Sequence, residues 1–156
     1  MTTVNQANES ALTEYVTATI GGQLFGLPIS RVQDVFKPER LTRVPLASND
    51  IAGVLNLRGR IVTAIDMRAR LRLPKGEADR RPMAVGVELR GESYGLLIDS
   101  IGEVMKLPDE GREVNPANLD RRTAELSAGV YRLDGQLMVV LDIDCVLEIA
   151  PDKLAA

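Results

Sequence analysis

Gly22-Gln23-Leu24-Phe25-Gly26-Leu27-Pro28-Ile29 returns in outline 69 residues later as Gly91-Glu92-Ser93-Tyr94-Gly95-Leu96-Leu97-Ile98. The correspondence continues at the same offset through Val32 and Ile101, Val35 and Val104, Lys37 and Lys106. A second block sets Gly53, Val54, Leu57, Gly59, Ile61, Ile65, Asp66 and Leu71 against Gly129, Val130, Leu133, Gly135, Leu137, Leu141, Asp142 and Leu147, now at an offset of 76. Blocks that recur in the same order, with a longer connection in the second copy, make the chain two copies of one small unit.

Each copy reads mainly as β structure. Tyr15 to Ile20 and Gln23 to Leu27 flank Gly21-Gly22, and Ala84 to Leu89 and Glu92 to Ile98 flank Arg90-Gly91. Glycine at such two-residue turns supplies the positive φ that hairpins need. A second hairpin follows in each copy. Gly53 to Leu57 and Arg60 to Ile65 flank Arg58-Gly59, and Val130 to Leu133 and Gln136 to Leu141 flank Asp134-Gly135. Asp66 and Asp142 then stand where an N-cap opens a short helix, over Met67 to Leu71 and Ile143 to Ile149. Between the hairpins, Ser30 and Gln33 have capping-box spacing and predict a helical turn, with Asp34 to Lys37 open to an extended reading. The Asp99 to Met105 stretch should match it.

Short glycine-punctuated strands predict a pair of small barrels. The charged stretch Arg68 to Pro82 divides them into subdomains of about 14–75 and 82–150, after an arm over 1–13 and before a tail over 151–156. A lobe of some 70 residues buries only about 60% of its unfolded surface. The lobes are therefore expected to share apolar contacts or exchange a strand, leaving a groove between them for a partner.

Composition excludes much chemistry. The chain has 156 residues, no histidine and one cysteine, so no imidazole dyad, internal disulfide or multi-cysteine metal site is available. A net charge of −3 with only 3% aromatic residues argues against nucleic acid as a partner. No apolar run approaches the ~18 residues of a membrane span, and the polar start lacks the order of a secretory signal, so a cytoplasmic protein without direct membrane insertion is expected. Asp142, Asp144 and Cys145 superficially resemble a ligand cluster for a small carboxylate-based metal-dependent enzyme. Capping explains Asp142 better, because it repeats Asp66, while Cys145 stands where the first copy has Ala69. No phosphate-loop motif occurs, and neither cofactor nor metal is expected.

The tip Asn56-Leu57-Arg58-Gly59 departs from its copy. Arg58 replaces the Asp134 of the second hairpin and is a poorer candidate for positive φ. The fold does not ask for it. A tight turn would hold its guanidinium outward as a contact for carboxylates or carbonyls of another protein, or in an exposed pair with Asp34 worth about 0–1 kcal/mol.

Ile51-Ala52-Gly53-Val54-Leu55-Asn56-Leu57-Arg58-Gly59-Arg60-Ile61-Val62, then Ile65-Asp66-Met67-Arg68, with Phe25 to Ile29 and Val32 to Val35, resembles the bacterial CheW-like adaptor family over about 14–150. The resemblance implies two SH3-like five-stranded barrels and a noncatalytic chemotaxis adaptor. Such an adaptor couples the cytoplasmic tips of methyl-accepting chemoreceptors to the regulatory domain of a CheA-type histidine kinase in membrane-associated arrays. An adaptor of a related receptor–kinase pathway, with surface motility or another output, shares that pattern. The matched positions expected at receptor and kinase contacts are Val32, Asp34, Gly53, Asn56, Leu57, Arg58 and Gly59. Thr63, where the family often has proline, and Met67, for a usual leucine, are its departures.

Overall fold

The structure is a computed structural model that describes residues 11–45, 47–76 and 81–148. The tail over 151–156 and most of the arm over 1–13 lie outside the described residues. The first copy holds strands β1 (Leu12–Ile20), β2 (Gln23–Pro28), β3 (Val32–Phe36), β4 (Ile51–Leu57) and β5 (Arg60–Asp66), then helix α1 (Met67–Arg70). The second holds β6 (Met83–Leu89), β7 (Glu92–Ile98), β8 (Ser100–Pro108), helix α2 (Arg121–Glu125), β9 (Ser127–Leu133), β10 (Gln136–Leu141) and helix α3 (Ile143–Leu147).

The strands form two five-stranded sheets, ordered β8-β1-β2-β10-β9 and β3-β6-β7-β5-β4. Neither sheet comes from one copy. Each takes its first hairpin from one copy and its three remaining strands from the other, so the leading hairpins are exchanged reciprocally. The exchange keeps the register of the repeat. Val139 pairs with Phe25 and Val140 with Gly26 across the parallel β10–β2 ladder, as Thr63 pairs with Tyr94 and Ala64 with Gly95 across β5–β7.

Alternation along the strands supplies three cores. Tyr15, Tyr131, Met138 and Val140 fill the barrel containing β1, which is called lobe A. Leu55, Val62 and Ala64 fill the other, lobe B, with Phe36, Leu41 and Leu57 packed on them. The largest cluster lies between the lobes. Ala18, Ile20, Phe25 and Leu27 from one sheet meet Ile65, Val85, Val87, Leu96 and Ile98 from the other, together with Met67, Ile143 and Val146 of the helices. Burying a side chain of this size contributes about 1.5–3 kcal/mol, so the junction stabilises both lobes at once.

Both predicted caps form. Asp66 accepts from the N–H groups of Arg68 and Ala69, and Asp142 accepts from that of Cys145. Arg70, buried at 7% exposure, joins the copies. Its guanidinium donates to the carbonyls of Val146 at 2.7 Å, Cys145 at 2.9 Å and Glu148 at 3.2 Å, satisfying the open end of α3. Burial lowers the Arg70 pKa, and the neighbouring Arg122 adds to that.

The capping box at Ser30 does not form. A three-residue 3-10 turn, Ile29–Arg31, follows Pro28 with no side-chain cap, and β3 starts at Val32. Pairing of Asp34, Val35 and Phe36 with Gly86, Val85 and Ala84 draws this stretch into the sheet. In the second copy the same stretch, from Ser100, is strand throughout.

Candidate functional site

The tip of the β4–β5 hairpin combines strand pairing with a strained turn. Leu57 faces Arg60 across a two-residue loop. Arg58 has φ +52 and Gly59 φ +82, the positive pair of a primed hairpin turn. Arg58 therefore takes the left-handed conformation for which its residue type is ill suited. Asn56 supports it, because its Oδ1 accepts from the Gly59 N–H at 2.9 Å. Asp134 is absent from the left-handed residues, although its copy of the hairpin closes over the same number of residues.

Arg58 stands 77% exposed, and its Nη1 lies 3.5 Å from Oδ2 of Asp34 on β3, which is 26% exposed. At that length the pair is weak, worth at most about 1 kcal/mol. Asp34 lies across Gly86, where a Cβ would collide with its carboxylate. The glycine on β6 thus leaves room for the acid beside the tip.

The other sequence-predicted contacts are distributed differently. Val32 is half-buried against the interlobe core, and Leu57 against the lobe B core. Gly53 is buried in a bulge of β4, with φ +153 and a Cβ position only 2.5 Å from the Thr42 carbonyl oxygen. Gly129 repeats this at φ +132 against Glu113, so Gly53 serves the fold. Asp34, Asn56, Arg58 and Gly59 come together at the surface, whereas Val32, Leu57 and Gly53 are taken up by packing inside the fold. Sequence reasoning missed Ile61, which pairs with Asn56 and is 64% exposed. Its repeat partner Leu137 packs on the interlobe core, but Ile61 does not. The signal was the adjacent apolar pair Ile61-Val62 in an alternating strand. Val35 of β3 is also exposed.

The Asp142, Asp144 and Cys145 cluster is taken up by structural contacts. Asp142 caps α3, and Asp144 pairs with Arg31 at 2.9 Å, which ties α3 to the turn before β3. Burial raises the Cys145 pKa, and Asp142 adds to it, opposite to the shift that activates a thiol. Asp142→Ala should cost about 1 kcal/mol, read as a lowered urea midpoint at unchanged slope. Among the described residues, no group of three or more Cys, Asp or Glu side chains is placed to hold a metal ion. No helix there is long and apolar enough to cross a membrane.

Comparison with known proteins agrees with this architecture. The chain is 26% identical over 129 residues to the chemotaxis protein CheW of Bacillus subtilis, covering 83% of each protein. It is 24% identical over 135 residues to the CheW of Thermotoga maritima, covering 86% of this chain and 87% of that one. Among solved structures, the scaffolding protein TtCheW from Thermoanaerobacter tengcongensis superposes with a TM-score of 0.79 at 25% identity, over 88% of this chain and 94% of that one. The CheW-like domain model matches residues 14–150. With nearly the whole chain inside that match, and two five-stranded sheets as in the solved relative, the protein belongs to the CheW-like domain family.

Proposed function

We propose that this chain is a noncatalytic chemotaxis scaffold that couples methyl-accepting chemoreceptors to a CheA-type histidine kinase, working in the cytoplasm at membrane-associated receptor arrays. Family membership and the CheW relatives support the scaffold reading. The observation that carries the contact surface is Arg58, held outward on a left-handed turn with, among the described residues, only a long pair to Asp34. Exposed guanidinium beside an exposed aliphatic side chain, Ile61, suits a protein partner. Individual contacts of this kind are modest, and repetition in an array multiplies them.

Arg58→Glu places like charges beside Asp34 yet removes little folding energy. We expect an unchanged circular dichroism spectrum and a melting temperature within about 2 °C of the parent. Co-sedimentation with receptor signalling fragments and the kinase should fall tenfold or more. Normal co-assembly by a folded Arg58→Glu protein would remove the tip from the contact surface.

A further inference from the structure

Arg72 stands where glycine would be favoured. It follows α1, where its N–H donates to the Ala69 carbonyl at 3.0 Å and the Leu73 N–H donates to the Arg68 carbonyl at 2.7 Å. Those paired bonds make Arg72 the left-handed residue after the helix, with φ +59. A side chain is disfavoured there by contact between Cβ and the following carbonyl. Nothing in the turn calls for a guanidinium, and that of Arg72 has no hydrogen-bond or ion-pair partner among the described residues.

The side chain borders two adjoining depressions of about 370 and 440 Å³, and Arg122 of α2 borders both as well. Ser48 and Asn49 line the first, and Arg121 lines the second. Each carboxylate around them has a partner, although that of Asp50 is long and weak. Asp50 pairs with Arg70 at 3.5 Å, Glu125 with Arg122 at 3.1 Å, and Asp120 accepts from the Thr123 N–H at 3.1 Å. Among the described residues, the Arg72 and Arg121 guanidiniums are left without a hydrogen-bond or ion-pair partner. Ser48 Oγ accepts from the Asp50 N–H at 3.2 Å, so its hydroxyl proton remains to be donated.

The internal repeat adds an independent reason. The second copy has seven more residues between its matching blocks, and the connection before β9 carries α2. Among the described residues no helix occupies the corresponding connection between β3 and β4. This departure from symmetry brings Arg121 and Arg122 against the end of α1, where the Arg122 Nε donates to the Arg70 carbonyl at 2.8 Å. Burial chiefly depresses the Arg70 pKa, and the positive charges of Arg122 and, least, Arg72 add to it.

We propose that the trough between α1 and α2 binds a phosphate group, as the free ion or a monoester, at Arg72 and Arg121, with Ser48 and the remaining N–H groups of Arg122 as further donors. Planar guanidiniums match phosphate oxygens in pairs, and a dianion balances two cations where one carboxylate would not. This site lies apart from the Arg58 tip and does not depend on the adaptor reading.

Melting temperatures of the full chain in sodium phosphate, O-phosphoserine, acetate and chloride at equal ionic strength test it. Inorganic phosphate at ten times its dissociation constant should raise the midpoint by about 3–6 °C over chloride. Arg72→Gly should melt above the parent in chloride, because strain is relieved, and should lose the phosphate rise. Arg90→Gly, which relieves the same conformation at φ +52 in the β6–β7 turn, should also melt higher but keep the rise. An equal response to O-phosphoserine supports binding through the phosphate group alone; a response to phosphate only supports the free ion. A rise that survives Arg72→Gly, or one no larger than that in acetate, overturns the proposal.

Discussion

Phe25→Ala should destabilise both lobes together, by about 3–5 kcal/mol. Phe25 is 1% exposed on β2 and belongs to the cluster that joins the sheets. Its loss leaves a cavity lined from both sides, so no lobe can relax around it independently. The chain has no tryptophan and three tyrosines, which helps the measurement. Tyr15 and Tyr131 lie buried inside lobe A with their hydroxyls 3.3 Å apart, whereas Tyr94 lies on β7 of lobe B. Urea transitions followed by tyrosine signals from each lobe and by far-ultraviolet circular dichroism should coincide in parent and variant. Two separated transitions would contradict a shared core. The reciprocal hairpin exchange extends the expectation: fragments 11–76 and 81–148 should each be unfolded alone and fold on mixing.

Gly53→Ala is the second large effect. A Cβ at this position would stand 2.5 Å from the Thr42 carbonyl oxygen and 3.0 Å from its carbon, on a backbone with φ +153. Both contacts are to main chain held by the paired bonds between Thr42 and Val54, each 2.8 Å, so the neighbour cannot swing aside. We expect a loss of about 2–4 kcal/mol and a melting temperature lower by about 4–16 °C. Gly129→Ala should cost less, because its nearest obstacles, the Glu113 carbonyl oxygen and the Arg112 side chain, stand at 2.9 Å rather than 2.5 Å. A parent-like melting curve for Gly53→Ala would show that the bulge adapts. Weakened partner binding by Gly53→Ala should track the folded fraction, whereas Arg58→Glu should lose binding while fully folded.

The repeat carried most of the fold, because glycine turns and alternating strands are local patterns that survive in sequence. Both aspartate caps and all four hairpins were legible for that reason. What pairs with each hairpin was not. The Phe25 to Val139 ladder joins residues from opposite copies, and neither strand advertises its partner. Ser30 and Gln33 point to a helical turn, and a short one spans Ile29–Arg31 with the extended stretch after it, but the side-chain cap does not form because pairing of β3 with β6 draws Gln33 into the strand. At the tip, Arg58 was legible through its mismatch with Asp134. Its left-handed backbone was not, since propensity argued against it and the Asn56 side chain that steadies the turn acts only once the hairpin is closed. Ile61 was hidden by its likeness to Leu137, whose packing depends on the other lobe.

The parallel ladder between β2 and β10 also sets a timetable for synthesis. β2 ends at Pro28, and its neighbour runs from Gln136 to Leu141. At about 5–20 residues per second, a ribosome needs on the order of ten seconds to make the intervening chain. During that interval β2 offers an open edge, and Phe25 and Leu27 can pack only on the sheet of β3 to β7 once Ile98 is made. Its counterpart β7 is spared this wait, because β5 is already made when it emerges. The nascent chain can therefore assemble the sheet of β3 to β7 first, and the hairpin of β1 and β2 is among the last elements to gain its final sheet neighbours.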